Sequence, residues 1–347
     1  MAEFIFAKRL LAWHQQHGRH DLPWQHPRSD YQVWVSEIML QQTQVSTVIS
    51  YFNAFMQTFP TLGDLARAPS EKVMQLWAGL GYYSRARNLH KSAQICLAQF
   101  DAELPKTYAG LIALPGIGRS TAGAILSQAL GLPFAILDGN VKRILTRFHA
   151  IAGDSNTNAV QSQLWQLAES HLPTTKLADY TQALMDLGAT LCTRSKPNCA
   201  RCPLATHCQA LLSNSVTNFP SKKAHKLIPK RETFALIMLS ENNEILLEKR
   251  PNHGIWGGLF SLPEASDALQ AQILAKQFIL RTEKYAQLTT ISHQFSHFQL
   301  AIQPIVWRKC ARKVHIMDND RYQWIAHQQL SQIGLPAPIK KLLQDLK

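Results

Sequence analysis

The hydrophobic period of this chain changes once, and that change limits the folds open to it. From about Phe4 to His207, apolar residues recur at helical spacing in segments of about 8 to 15 residues broken by Gly and Pro. YQVWVSEIML at 31–40 and TYAGLIAL before Pro115 carry the pattern. The stretch Asn214–Glu232, NSVTNFPSKKAHKLIPKRE, is polar and basic with two prolines and little periodicity, as a connector is. Beyond it the residues alternate. FALIML at 234–239 and EILLEK at 244–249 flank a Ser-Glu-Asn-Asn turn and predict a hairpin, and HFQLAIQPIVWRK returns to sheet. Helices are expected near 267–277 and 336–346. Helices packed on helices and a mixed sheet bury apolar surface in different ways, so the pattern predicts an all-α domain over 1–213, a linker at 214–232 and an α+β domain over 233–347. With 347 residues, 46% of them hydrophobic, the chain has material for two cores.

Lys and Arg outnumber Asp and Glu by 36 to 23, a net charge of +13 that favours a polyanionic partner, of which nucleic acid is the foremost. No apolar run approaches the roughly 18 residues of a membrane span. The opening MAEFIFAKRLL has no secretory pattern, which predicts a cytoplasmic protein with reduced thiols.

Four of the six cysteines, Cys192, Cys199, Cys202 and Cys208, lie in one run with gaps of six, two and five residues. Four thiolates can close around one Zn²⁺ or hold the corners of a [4Fe-4S] cube. The Cys199–Cys202 pair suits zinc, but the longer loop after Cys192 favours a larger inorganic core. Cys96 and Cys310 fall in periodic segments and read as small buried hydrophobes.

Between two helical patterns, ALPGIGRSTAGAI places Pro115, Gly116 and Gly118 in a tight turn. The free amides of the turn and of the helix that follows could cradle a phosphate, or the glycines could serve a plain corner between packed helices. Glu37 is the only charged residue within the apolar segment YQVWVSEIML. Burial would raise its pKa and keep it partly protonated, as a general acid requires, unless it reaches solvent or pairs with an arginine. Asp138 ends the run PFAIL just before VKRILTRF, close to a helix N-terminus that favours the ionised form. It reads as an ordinary N-cap or as the charged member of a pair with Glu37. One protonated and one ionised carboxylate can protonate a leaving group and stabilise the cation left behind, which is glycosidic-bond chemistry.

Together LPGIGRSTAGAI, the Asp138 of LDGNVKRIL and the cysteine run resemble the helix-hairpin-helix, Gly/Pro-rich loop and aspartate superfamily of DNA glycosylases that carry a [4Fe-4S] loop. Within it, VSEIMLQQTQV and the rest of the chain are similar to the adenine-specific branch, which removes adenine mispaired with 8-oxoguanine or guanine from double-stranded DNA. The resemblance implies one [4Fe-4S] cluster on the four cysteines, Glu37 as proton donor, Asp138 as catalytic aspartate, and Asn140 ordering water or Asp138. It places Arg19, Leu22 and Trp24 of GRHDLPWQ along the active site, Gln42 and Thr43 near the lesion pair, and Leu80 and Tyr82 of GLGYYSRARNL in the base stack. Gly116, Gly118 and Ser120 would lie against the phosphate backbone. Bifunctional relatives carry a nucleophilic lysine where this chain has Ser120, which implies base removal with at most weak strand scission through Lys142.

The later segment LLEKRPNHGIWGGLFSLPE resembles a Nudix domain, but DALQAQILAKQF lacks the acidic helix that would hold Mg²⁺. Recognition rather than hydrolysis is implied, with Phe295, Ser296 and His297 of HQFSHFQL reading the oxidised guanine. On residues alone this segment would be an ordinary strand. One polypeptide carrying both functions is expected to act as a monomer.

Overall fold

The computed structural model describes residues 2–221, 228–313 and 321–346, with side chains from Phe6 onward. The middle of the expected linker, 222–227, lies outside the described residues. Two compact units emerge, one of residues 1–67 and 88–224, the other of 68–87 and 225–347. The break at 224/225 falls within the expected linker at 214–232, whereas residues 68–87, expected in the helical domain, group with the C-terminal unit. Residues 68–87 belong with the C-terminal unit because Arg87 Nη1 donates to the Gly257 carbonyl at 2.6 Å and Lys249 pairs with Glu71 at 2.5 Å.

The first unit is helical. Its helices include Ala2–His17, Asp30–Leu40, Val45–Thr58, Arg119–Leu130, Gly139–Phe148, Asn158–Ser170 and Leu177–Thr190. Local chemistry sets their starts. Ser29 accepts the Gln32 amide ahead of Asp30–Leu40, and Thr107 accepts the Gly110 amide ahead of a short helix, Tyr108–Ile112. Phe6 and Leu10 of the first helix meet Val141, Ile144 and Leu145, Leu164, and Tyr180, Leu184 and Leu187 in one core. Each of those side chains is at most a few per cent exposed, so this core fixes the Gly139–Phe148 helix that begins at Asp138.

The second unit is built on a mixed sheet. Lys230–Ser240 runs parallel to Gln299–Cys310, in register from Lys230 opposite Gln299 to Met238 opposite Trp307, and the register shifts before Ser240. The expected hairpin forms: Leu239 faces Ile245 of Glu244–Lys249, and Asn243 takes the left-handed conformation in the turn. Helices Ala268–Phe278 and Ala337–Gln344 lie within a residue or two of their expected positions. HQFSHFQL is part strand and part turn. Ile291–Gln294 pairs antiparallel with the start of Gln299–Cys310, and Phe295–Phe298 closes the hairpin through a 2.9 Å bond from the Phe295 amide to the Phe298 carbonyl. Cys96 and Cys310 are buried, as expected of small hydrophobes.

Candidate active site

Glu37 sits on the Asp30–Leu40 helix among Val33, Trp34, Ile38 and Met39, all buried. The residue as a whole is half-buried, and its carboxyl lies deep. Burial, and then the charge of Asp138, push its pKa up to about 7, against a hydrogen bond from Gln128 Nε2 to Oε1 at 3.2 Å. That Asp138 acts on Glu37 places the two carboxylates at one site, a juxtaposition the sequence left open.

Asp138 caps its helix, accepting the Val141 amide at 2.8 Å on Oδ1 and the Asn140 side chain at 3.2 Å on Oδ2. These bonds and Arg143 favour the ionised form, as expected from a helix N-terminus. Burial outweighs them, however, and the pKa is raised, against the expectation that the ionised form is favoured. Glu37, at about 7, can hold a proton near neutrality, and Asp138 keeps three groups arranged to stabilise its charge.

Sequence reasoning named Asn140 but missed the arginines and the glycine that frame it. Asn140 Oδ1 accepts from Arg143 Nη2 at 2.8 Å, and the same guanidinium reaches the carbonyls of Gly188 at 2.8 Å and Cys192 at 2.6 Å. Arg147, one turn on, is buried and donates to the carbonyls of Thr193, Arg194 and Phe219 and to Cys192 Sγ at 3.4 Å. The available signal was two arginines four residues apart on the helix that Asp138 caps. Gly188 matters because Asn140 packs directly on its backbone: a Cβ there would meet Asn140 Cβ at 2.5 Å.

The four cysteines line one small apolar cavity of about 30 Å³ together with Ile144, Phe148 and Leu187. Burial raises the thiols of Cys199, Cys202 and Cys208, that of Cys202 to about 12, so bringing them together as thiolates requires a compensating positive body. Among the described residues no three His, Cys, Asp or Glu side chains are grouped to hold a single metal ion. Four soft donors around one apolar space have the chemistry to hold a zinc ion or an iron–sulfur cluster.

In the hairpin, Gly116 has φ +83° and a Cβ there would meet Asn88 at 2.9 Å, so glycine is required by conformation and contact. Gly118 has ordinary φ and open space around it. The protein itself does not demand a glycine at that point, which leaves it open to the close approach of a ligand backbone. The first bond of the following helix runs from the Ala122 amide to the Gly118 carbonyl, leaving the opening amides without intrahelical acceptors. Ser120 is turned inward, its hydroxyl accepting the Leu137 amide at 3.0 Å.

Several expected DNA contacts also face the interior. Arg19 is committed to Asp186 through Nε at 2.8 Å and Nη2 at 2.7 Å, while Leu22 and Trp24 are buried, the latter edge-on against Phe52. Leu80 is buried too, whereas Tyr82 beside it is 45% exposed in a left-handed turn. Gln42 is exposed and left-handed in the turn after the Glu37 helix, with Thr43 next to it.

Within the second unit, Phe295 stacks on Phe298 at 4.5 Å, and Trp256 approaches Phe295 at 5.8 Å. Ser296 and His297 are exposed at the hairpin tip. These residues border a cavity of about 700 Å³ shared with Tyr82, Arg87 and Arg231.

A helical domain with a glycine hairpin, a capped aspartate beside a protonatable glutamate and a four-thiol loop defines a helix-hairpin-helix DNA glycosylase. Residues 35–170 match the model of the HhH-GPD superfamily of base excision DNA repair proteins, and residues 234–345 match the NUDIX domain. An adenine DNA glycosylase of Buchnera aphidicola from Acyrthosiphon pisum is 39% identical over all of this chain and 99% of the relative. The Homo sapiens adenine DNA glycosylase is 37% identical over 86% of this chain and 66% of the relative. The chain belongs to the adenine DNA glycosylase family. Among solved structures, a thermostable thymine-DNA glycosylase superposes with a TM-score of 0.55 at 27% identity, covering 61% of this chain and 97% of that one. An endonuclease III in complex with DNA gives 0.51 at 20% identity over 60% and 94%, a likeness of fold. The chain is accordingly a DNA-binding enzyme of base excision repair that acts on the N-glycosyl bond of adenine.

Proposed function

We propose that the enzyme excises adenine mispaired with 8-oxoguanine or guanine in double-stranded DNA, acting as a monomer and without efficient strand cleavage. The observation that carries the chemical part is a glutamate raised to about 7 beside a second carboxylate held by an amide, an asparagine and an arginine. Once the adenine has left the stack, Glu37 donates its proton to a ring nitrogen and turns the base into a neutral leaving group. Asp138, kept in place by Asn140 and Arg143, stabilises the oxocarbenium-like sugar until water attacks. Adenine departs, and the sugar is left as an abasic site.

Ser120 in place of a lysine supports base removal as the main outcome, and Lys142, half-exposed in the first turn of the Asp138 helix, could sustain only a side reaction. The exposed Ser296 and His297 beside an aromatic stack support the hairpin tip as the reader of the oxidised guanine. Cys192, Cys199, Cys202 and Cys208 would hold one [4Fe-4S] cluster, which would supply a structural tie for their loop. Through Arg143 and Arg147 that loop grips the Asp138 helix.

Adenine release and strand integrity, before and after alkali, test this reading on duplexes with adenine opposite 8-oxoguanine, guanine or thymine. Release opposite the first two, with alkali needed for scission, is the expected result. Equal release opposite thymine, or scission without alkali, would overturn it.

A further inference from the structure

Glu37 has one neighbour that the chemistry above leaves unused. Gln128 lies near the end of the Arg119–Leu130 helix, 4% exposed, in a turn that also buries Ala124, Ile125 and Leu126. A carboxamide in such a place must be hydrogen-bonded to offset its desolvation, and an apolar side chain of similar length would fill the volume with no such demand. The amide donates from Nε2 to Glu37 Oε1 at 3.2 Å. The turn is anchored from its other side, where Thr181 Oγ1 bonds to Ser127 Oγ at 3.0 Å, so the donor is held on a fixed element.

A donor aimed at one carboxyl oxygen occupies its lone pair and disfavours a proton there. It also resists the rotation that would exchange the two oxygens. We propose that Gln128 is a positioning residue for the acid step: its donation to Oε1 fixes the carboxyl and leaves the transferable proton on Oε2. The inference rests on Glu37 being the acid. The same contact favours the ionised form of Glu37, opposing burial and the charge of Asp138, so Gln128 also sets the pH above which the acid is lost.

The test is single-turnover adenine release from about pH 6 to 9, with duplex affinity measured alongside, in Gln128→Met and Gln128→Glu. Methionine keeps the volume and removes the donor. The plateau rate should fall about three- to tenfold while the decline at high pH moves up by about half to one unit, with affinity unchanged. Glutamate adds a second carboxylate and should move the decline further up. A parental plateau and decline in either folded variant would overturn the inference, as would a change in affinity alone. Glu37→Gln, run in parallel, separates the two levels: release retained there would remove the acid assignment itself.

Discussion

Replacing Gly188 by alanine adds one methyl group on the face of the Leu177–Thr190 helix that receives Asn140. The new Cβ would lie 2.5 Å from Asn140 Cβ and 2.9 Å from its Cγ, against an ordinary carbon contact of about 3.5 Å. Asn140 would have to retreat by about 1 Å, and with it the 3.2 Å bond to Asp138 Oδ2 and the 2.8 Å bond from Arg143. Misplacing a supporting group by about 1 Å costs roughly a hundredfold in rate. Alanine is the better helix former by about 1 kcal/mol, which offsets part of the overpacking cost of about 1–3 kcal/mol, so folding should survive. The assay is single-turnover adenine excision with thermal melting and duplex affinity as controls. A folded Gly188→Ala enzyme within threefold of the parental rate would refute the role given to Asn140. In a double-mutant cycle with Asn140→Ala the two losses should overlap rather than add, because they act through one side chain.

Excision should fall with rising pH through about 7, roughly tenfold per unit, because the acid form of Glu37 is lost there; a rate flat to about pH 9 would contradict a glutamate acid. Asp186 has a lowered pKa: burial alone would raise it, but bonds from His14, Arg19 and Gln182 prevail. Its contribution is complete above the ordinary aspartate range and lost as pH falls through the depressed folded value. Asp186→Asn should cost about 3 kcal/mol near neutrality, read by denaturant unfolding, with the gap to the parent closing in acid. Burial and then His149 press His171 down to about 4 from 6.5. The neutral ring therefore favours the fold fully above about 6.5 and progressively less below it, and His171→Phe should flatten the acid side of the melting profile.

The period change at 214–232 and the Ser-Glu-Asn-Asn hairpin were legible because alternation and turn chemistry are local. Glu37 and Asp138 were legible as individuals: a lone charge in an apolar helix and an aspartate before a helix start. That they share a site is a tertiary fact, shown by the charge of Asp138 acting on Glu37. For Arg19, Leu22, Trp24, Leu80 and Ser120 the sequence suggested a contact but not the intramolecular setting. Their types suit DNA contact, but Asp186, Phe52 and the Leu137 amide engage three of them, and burial holds Leu22 and Leu80 inside. Gln128 and Gly188 gave no signal because each acts on a residue remote in sequence, and Arg143 offered only its four-residue spacing from Arg147. The resort of 68–87 into the C-terminal unit likewise depends on Arg87 and Glu71 finding partners far along the chain.

The most direct measurement is single-turnover adenine release from an adenine:8-oxoguanine duplex by the parent, Glu37→Gln and Asp138→Asn, with duplex affinity determined for each. All three are expected to bind comparably and only the parent to release adenine at an appreciable rate. Release by Glu37→Gln at the parental rate, with the fold intact, would contradict proton donation by Glu37 and with it the division of labour between the two carboxylates.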